Sequence, residues 1–166
     1  MSDTSAVPSG WSALADASPE DRVASMTETF NAIADLHEAG WSERIGALLA
    51  EEATLEDKAL QAMAGGRLRA LTALDIDAAC SLTVAWEQAE KTQPANLGMR
   101  RVFALQAAAK SLSLDEVSRV EPFMPTVRPM AGLAPARSDR PIAAGDLMVD
   151  APAPKKGFLG KLFSRS

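Results

Sequence analysis

The sequence predicts an all-α protein built as an antiparallel helical bundle of five or six helices. Alanine supplies much of its 47% hydrophobic share, and its 166 residues include no Tyr, five Phe and three Trp. Alanine has the highest helix propensity, whereas strands favour β-branched and aromatic side chains. Apolar residues recur at helical spacing along the middle of the chain, and no segment alternates as a strand would. We expect the bundle to occupy residues 18–120.

The first helix has a clear start. Ser18 is a preferred N-cap residue, Pro19 suits the first helical position, and acidic residues follow in the first turn. An apolar stripe at spacings of three and four residues then predicts a helix that ends at Gly40. The members of this stripe are Val23, Met26, Phe30, Ile33 and His37. A second helix is expected over residues 42–52, and its inward side chains are Ile45, Leu48 and Leu49.

Capping residues mark the later helices. Thr54 opens a capping-box pattern, and Asp75 or Asp77 is expected to cap a following helix that stops before Pro94. Another helix is expected to begin near Asn96 and to carry a series of apolar residues: Met99, Val102, Phe103, Leu105 and Leu112. The last helix of the bundle follows a further capping box, which consists of Ser113, Leu114, Asp115 and Glu116.

Two adjacent glycines, Gly65 and Gly66, interrupt the apolar face of the helix that follows Thr54. Together they cost a helix roughly 2 kcal/mol relative to alanine. We therefore expect one of three structures at this point, which are a bend, a break, or the close approach of another helix.

The ends of the chain differ from the bundle in composition. Residues 1–17 are small and polar, and we expect a flexible N-terminal segment. Residues 121–154 carry prolines at a density that blocks helix and sheet pairing, so a disordered Pro/Ala-rich linker is expected there. Within it, residues 123–127 are a candidate for lying along the bundle, and residues 142–149 for a short docking segment. Residues 155–166 form a basic tail.

The tail, KKGFLGKLFSRS, has the pattern of a short basic amphipathic helix. On a helix its large apolar side chains fall within an arc of roughly 140°. Burying them contributes roughly 6–10 kcal/mol, and ordering the segment costs a similar amount, so attachment is expected to be weak and reversible. The expected anchors are Phe158, Leu159, Leu162 and Phe163. The expected electrostatic contacts are Lys155, Lys156, Lys161 and Arg165.

In layout this tail resembles the short amphipathic membrane-targeting helices of the bacterial division actin homologue. It also resembles the cargo-docking helices that follow Pro/Ala linkers in bacterial compartments. The two resemblances cover only residues 155–166, and no function is transferred from either. The residues of the tail themselves leave two surfaces open for this segment, an anionic membrane or a groove in a protein partner.

The charge of the chain is unevenly distributed. It has 17 basic and 22 acidic residues, and without the four tail cations residues 1–154 carry 13 − 22 = −9. An acidic body argues against nucleic acid as a partner, because phosphate neutralisation dominates that kind of affinity. The sequence shows no signal-peptide pattern and no apolar run long enough to span a bilayer. We expect a cytoplasmic protein that binds peripherally at the inner face of the membrane.

No residue pattern in the chain indicates catalysis, a metal site or a cofactor. His37 lies on the apolar stripe near an expected helix end, where a packing or capping role is the better interpretation. Cys80 stands among small apolar residues and is expected to be a core residue. A carboxylate metal site in a bundle would need paired Glu-x-x-His motifs, and the chain has one histidine. We therefore expect no catalytic residues, no metal and no cofactor.

Two pairs of basic residues stand out in the acidic body. Arg67 and Arg69 form one pair, and Arg100 and Arg101 form the other. Solvated helix faces are the usual explanation for such pairs. If the two helices are neighbours, the four arginines are a candidate basic patch for an acidic partner or for lipid headgroups.

These observations predict a non-enzymatic adaptor or scaffold protein. Its bundle is expected to bind a protein partner, and its tail to attach it reversibly to a membrane surface. One alternative is an assembly or cargo protein whose tail docks in a groove of a protein shell or partner. A second alternative is a small-ligand-binding or enzymatic helical domain with a pocket near His37 or Cys80. Oligomerisation is compatible with each of these functions.

Overall fold

The computed structural model describes residues 10–134, and the expected tail therefore lies outside the described residues. All secondary structure in this part of the chain is helical. One 3-10 helix spans Ser12–Asp16. Seven α-helices follow, and their bounds are α1 (Pro19–Ala34), α2 (Glu38–Glu52), α3 (Asp57–Leu71), α4 (Ile76–Lys91), α5 (Ala95–Lys110), α6 (Leu114–Val120) and α7 (Val127–Met130). None of these helices is long and apolar enough to cross a membrane.

The boundary between α1 and α2 differs from the expected one. The first helix ends at Ala34 rather than at Gly40, and His37 is the N-cap of α2. The His37 backbone is extended, and its Nδ1 accepts a long hydrogen bond of 3.5 Å from the Ala39 backbone N–H. His37 is exposed and does not belong to the buried stripe of α1. Its imidazole serves an unpaired donor at the start of a helix, not the end of one.

Most of the expected caps are confirmed. The Ser18 hydroxyl accepts from the backbone of α1, the Asp75 carboxylate caps α4, and Ser113 forms a complete capping box with Glu116. The capping box expected at Thr54 is wrong. The N-cap of α3 is Glu56, without a side-chain hydrogen bond, and the Thr54 hydroxyl instead donates to the Glu51 carbonyl at the end of α2.

Helix α3 lies at the centre of the bundle. It packs against the 3-10 helix, α1, α5 and α6, while α2 packs against α4. The two glycines do not break it, because α3 is continuous through them. A Cβ on Gly66 would stand 2.8 Å from Arg22 Cδ and 3.0 Å from Met26 Sδ. Of the three expected structures, the close approach of another helix is therefore the one observed, and that helix is α1.

Helix α5 buries several of its alanines and exposes three of its large apolar residues. Its buried side chains are Ala104, Ala108, Ala109 and one arginine, Arg101. Alanine at these positions lets α5 approach α3 closely, and a Cβ on Gly65 would stand 3.8 Å from the Cβ of Ala108. Of the apolar series expected along this helix, Leu105 and Leu112 are partly buried against the core, whereas Met99, Val102 and Phe103 are exposed.

The structured part of the chain is longer at both ends than the expected bundle of residues 18–120. Before α1, the expected flexible segment contains the 3-10 helix, and Trp11 is buried against the core. After α6, the side chains of Phe123, Met124 and Val127 are buried, so residues 121–134 belong to the bundle rather than to a linker. The expectation that residues 123–127 lie along the bundle agrees with these buried side chains, and three of them are enough to hold a Pro-rich segment in place.

Arg22 anchors the N-terminal segment to α1. Its Nε donates to the Leu14 carbonyl at 2.8 Å, and its Nη2 donates to the Ala15 and Ala17 carbonyls at 2.9 and 2.8 Å. These carbonyls belong to the 3-10 helix and its end, and the Leu14 carbonyl also accepts from the Ala17 backbone N–H at 3.2 Å. The Arg22 side chain is thereby fixed above Gly66.

Candidate functional site

The eight tail residues expected to dock on a membrane or partner lie outside the described residues. The remaining candidates from the sequence are the four arginines of the basic patch, together with His37 and Cys80. All six of these residues lie within the described part of the chain.

Two of the four arginines are paired with acids near the surface. Arg69 Nε donates to Glu116 Oε1 at 2.6 Å, and this hydrogen bond lowers the pKa of the Glu116 carboxyl. Arg100 Nε donates to Asp57 Oδ1 at 2.8 Å. Each pair joins two different helices, α3 with α6 and α3 with α5. Both guanidinium groups are therefore already bound by acids of neighbouring helices.

The other two arginines, Arg67 and Arg101, are buried. The Arg67 side chain is 9% exposed and that of Arg101 is 5% exposed. The expected surface patch therefore does not include them. The reason is positional, because each falls on the inward stripe of its helix. Arg67 is four residues before buried Leu71, and Arg101 is three residues before buried Ala104.

Glu52, whose place near the end of the second helix predicts a cap or a solvated face, is instead the buried acid that faces Arg101. Its Oε2 lies 3.7 Å from Arg101 Nε, and its Oε1 accepts a hydrogen bond of 2.9 Å from Trp11 Nε1. Burial raises the pKa of the Glu52 carboxyl, while the Arg67 charge, the Trp11 hydrogen bond and the Arg101 charge act in the opposite direction. A signal for its burial existed in the sequence, since Glu52 is two helical turns beyond the inward Ile45.

Arg101 is only partly satisfied by the protein. Its Nη2 donates to the Leu49 carbonyl at 2.6 Å, but its Nε and Nη1 are buried and have no hydrogen-bond partner within the described residues. Burial lowers the pKa of the Arg101 guanidinium. A cavity of about 10 Å³ lies between Arg101, Glu52 and Arg67. That volume is about the space needed by one water molecule.

Arg67 lies over an aromatic ring beside a second acid. Its guanidinium carbon is 4.6 Å from the ring centroid of Trp86, which is the geometry of a cation–π contact. Its Nη1 is 3.7 Å from Glu90 Oε1, and Trp86 Nε1 donates to the same oxygen at 3.1 Å. Trp86 also lies 5.9 Å from the Phe30 ring and 6.1 Å from the Trp11 ring. The interior of the bundle thus contains a group of two acids, two arginines and three aromatic rings. Its members are Glu52, Glu90, Arg67, Arg101, Trp11, Phe30 and Trp86.

A cavity of about 200 Å³ opens beside this group, between α4 and α5. Helix α4 packs on α1 and α2, whereas α5 packs on α3 and α7, so the two consecutive helices leave space between them. We call this space the α4–α5 cavity. Arg67, Trp86 and Glu90 form part of its wall, with Thr83, Glu87 and Thr126 as the other polar members. Its apolar wall consists of Phe30, Leu71, Leu82, Val102, Leu105, Met124 and Met130.

The outer surface of α5 carries an apolar stripe next to this cavity. Met99 is 56% exposed, Val102 44% and Phe103 60%. The three residues follow helical spacing and therefore lie on one face of α5. Val102 also lines the cavity, so the stripe and the cavity form one continuous apolar region. We call these three residues the α5 stripe.

The reactive side chains considered from the sequence lie elsewhere. His37 is exposed at the start of α2. Cys80 is half-buried and lines an open groove of about 610 Å³ together with Trp41 and Val84. Neither residue lines the α4–α5 cavity. Within residues 10–134, no group of three or more His, Cys, Asp or Glu side chains is arranged to hold a metal ion.

In its described part the chain is an all-helical domain with buried ion pairs and an exposed apolar stripe. Comparisons with protein-family models, with curated proteins and with solved structures found no match. The function is therefore inferred from the geometry of the described residues.

Proposed function

We propose that this protein is a non-enzymatic adaptor. Its helical bundle binds a protein partner through the α5 stripe, and its C-terminal segment attaches it reversibly to an anionic membrane surface. The observation that carries the first part is the exposure of Met99, Val102 and Phe103 on one helix face. Single exposed apolar residues are ordinary, but a contiguous apolar face beside a cavity is typical of an interaction site.

The partner surface that fits is an apolar helix face flanked by Lys and Arg. Grooves and exposed helix stripes of this kind are matched by amphipathic helices that place anchors three and four residues apart. The described residues carry 11 basic and 18 acidic side chains, a formal charge of 11 − 18 = −7. A cationic rim on the partner is therefore favoured by charge complementarity, which guides encounter more than it sets affinity.

A designed peptide probes the stripe directly. Fluorescence anisotropy would compare an amphipathic helix of Leu and Lys with its Leu and Glu counterpart, using the full-length protein. We expect the Leu/Lys peptide to bind and Phe103→Asp to weaken it at least roughly tenfold, since a central apolar anchor contributes 1–2 kcal/mol or more. Leu114→Asp, at a residue 64% exposed on another helix, is the matched control.

The sign of the charge change makes this test decisive. Phe103→Asp adds a negative charge, so attraction to a cationic peptide by charge alone would grow stronger in the variant. Weaker binding by Phe103→Asp with unchanged binding by Leu114→Asp supports the proposal. Equal or tighter binding by Phe103→Asp contradicts it.

Vesicle flotation tests the membrane half of the proposal. The full chain and a chain that ends at Pro154 would be compared on neutral and on anionic vesicles, at low and at high salt. We expect only the full chain to float, only with anionic lipid, and less at high salt, because each cation near such a surface contributes about 1 kcal/mol. Absence of flotation under every condition contradicts membrane attachment and favours the alternative of a groove in a protein partner.

A further inference from the structure

The α4–α5 cavity contains an unusual polar group. The Arg67 side chain, 9% exposed, forms part of its wall, and the nearest acidic oxygen in an ion pair is Glu90 Oε1 at 3.7 Å. That distance allows ionic contact but exceeds a hydrogen bond. Among the described residues no hydrogen bond from the Arg67 guanidinium is found. A guanidinium has five N–H donors, so Arg67 can still donate to an acceptor placed in the cavity.

The rest of the cavity wall is mostly apolar and has room for a small molecule. Leu71, Leu82 and Leu105 face the cavity from three different helices, and methionines 124 and 130 close it from the side of α7. The volume is about 200 Å³. An apolar cavity of about 150 Å³ holds benzene, so this one has space for roughly six to eight carbon atoms.

We propose that the α4–α5 cavity binds a small monocarboxylate with an apolar body of about six to eight carbons. The carboxylate accepts paired hydrogen bonds from the Arg67 guanidinium, whose planar fork matches a carboxylate in geometry. The apolar body lies against the leucine and methionine side chains. This site does not rest on the adaptor proposal, because it uses the interior of the bundle and no membrane; Val102 is the residue that it shares with the α5 stripe.

The acids at the cavity limit the charge of the ligand. Glu90 remains in its position because its Oε1 accepts from Trp86 Nε1 at 3.1 Å. Glu87 is a second acid in the wall. Among the described residues that line the cavity Arg67 is the one cation, so a second carboxylate on the ligand would have no cation to pair with and would lie near Glu87 and Glu90. The site is therefore specific for one carboxylate on an apolar chain and disfavours dicarboxylates.

Isothermal titration of the full-length protein with octanoate, octan-1-ol and octylamine tests the proposal. These ligands share one alkyl chain and differ in the head group. We expect octanoate to bind roughly tenfold or more tightly than octan-1-ol, since the hydrogen bonds it accepts are charge-assisted. Octanol binding as tightly as octanoate, octylamine binding most tightly, or no binding of octanoate at millimolar concentration would each overturn the proposal.

Three variants locate the site. Arg67→Met is expected to abolish the preference for octanoate over octanol. Leu105→Phe, which fills part of the cavity and keeps the arginine, is expected to weaken octanoate at least roughly tenfold even if Arg67→Met fails to fold. Val84→Phe, in the other groove, is the matched control and should leave binding unchanged. Unchanged octanoate binding by Leu105→Phe overturns the assignment to this cavity.

A residue-specific signal completes the test. Because Trp86 Nε1 donates to the glutamate beside Arg67, its indole N–H resonance should shift on addition of octanoate. The indole resonance of Trp41, which donates to the Leu36 carbonyl and lies in the other groove, should not shift. A shift confined to Trp41 contradicts the proposed location.

Discussion

Gly66 is a residue at which α3 and α1 approach each other closely. Its missing side chain makes room for Arg22, whose guanidinium is held by three backbone carbonyls of the N-terminal segment. The aliphatic part of Arg22 therefore cannot move away without breaking those hydrogen bonds. Glycine costs α3 about 1 kcal/mol of helix propensity, and the cost is offset by the contact that it permits.

We predict that Gly66→Ala destabilises the protein although alanine is the better helix former. The added Cβ would lie 2.8 Å from Arg22 Cδ, and overpacking of this kind costs about 1–3 kcal/mol. Gly46→Ala is the matched control, because a Cβ there meets nothing within 4 Å, and it should stabilise α2 by up to about 1 kcal/mol. Urea unfolding measures both. If both variants stabilise the protein, the Arg22 side chain of α1 moves aside at little cost, and the prediction is wrong.

At the scale of elements, the N-terminal 3-10 helix acts as a cover over the charged interior. Trp11 donates to Glu52 and lies 5.9 Å from the Phe30 ring, so one side chain joins the segment to both the charged and the aromatic interior. The Ser12 backbone N–H donates to Glu51 at 3.0 Å at the rim. Five residues of 3-10 helix have little stability of their own, and these contacts hold them in place.

We predict that Trp11→Ala destabilises the protein by about 3–5 kcal/mol, because it leaves a large void and removes the hydrogen bond to buried Glu52. Trp41→Ala is the matched control. Trp41 is only half-buried, and its loss should cost about 1 kcal/mol. Urea unfolding followed by circular dichroism gives both free energies. Equal losses of unfolding free energy for the two variants would contradict the prediction that Trp11 contributes more to the stability of the core than Trp41 does.

Sequence patterns predicted the helices better than the contacts between them. Local signals identified the caps at Ser18, Asp75 and Ser113, since a cap is made by residues a few positions apart. The same reasoning misplaced the end of α1, because His37 fits the apolar period and yet caps the next helix. The buried state of Arg67 was missed, since its acidic and aromatic partners are distant in sequence. Periodicity places a residue on a face, but only the partner shows that a charge can be buried there.

At the scale of the whole molecule, stability depends on the buried charges. Glu52 and Glu90 face Arg67 and Arg101, so the formal charges of this interior group balance. Buried ion pairs are costly to desolvate, and removing one partner is more costly still because it leaves a charge alone. Burial raises the pKa of the Glu52 carboxyl and lowers that of the Arg101 guanidinium, so it disfavours the charged form of both partners.

We predict that the free energy of unfolding depends on pH through the Glu52 carboxyl. Its pKa is raised in the folded state, so above the ordinary value of 4.5 the unfolded chain loses a proton that the folded protein keeps. The folded state then binds more protons, and the free energy of unfolding falls as pH rises, until the folded carboxyl also ionises. The slope is at most about 1.4 kcal/mol per pH unit.

Glu52→Gln removes this titration while keeping an acceptor for Trp11. The difference in unfolding free energy, wild type minus Glu52→Gln, should therefore decrease as pH rises from 4.5. Urea unfolding at half-unit steps of pH measures it, and contributions from other titrating groups cancel in the difference. A constant or increasing difference would contradict the assignment.

The small-residue contact between α3 and α5 also limits how this sequence can diverge. A Cβ on Gly65 would meet the Cβ of Ala108 at 3.8 Å, which is ordinary van der Waals contact, so the interface has room for one added methyl group there and for little more. Relatives that keep this fold should therefore show a band of positions restricted to Gly and Ala on two helices far apart in the chain. That band would reveal a relative even where overall identity has been lost.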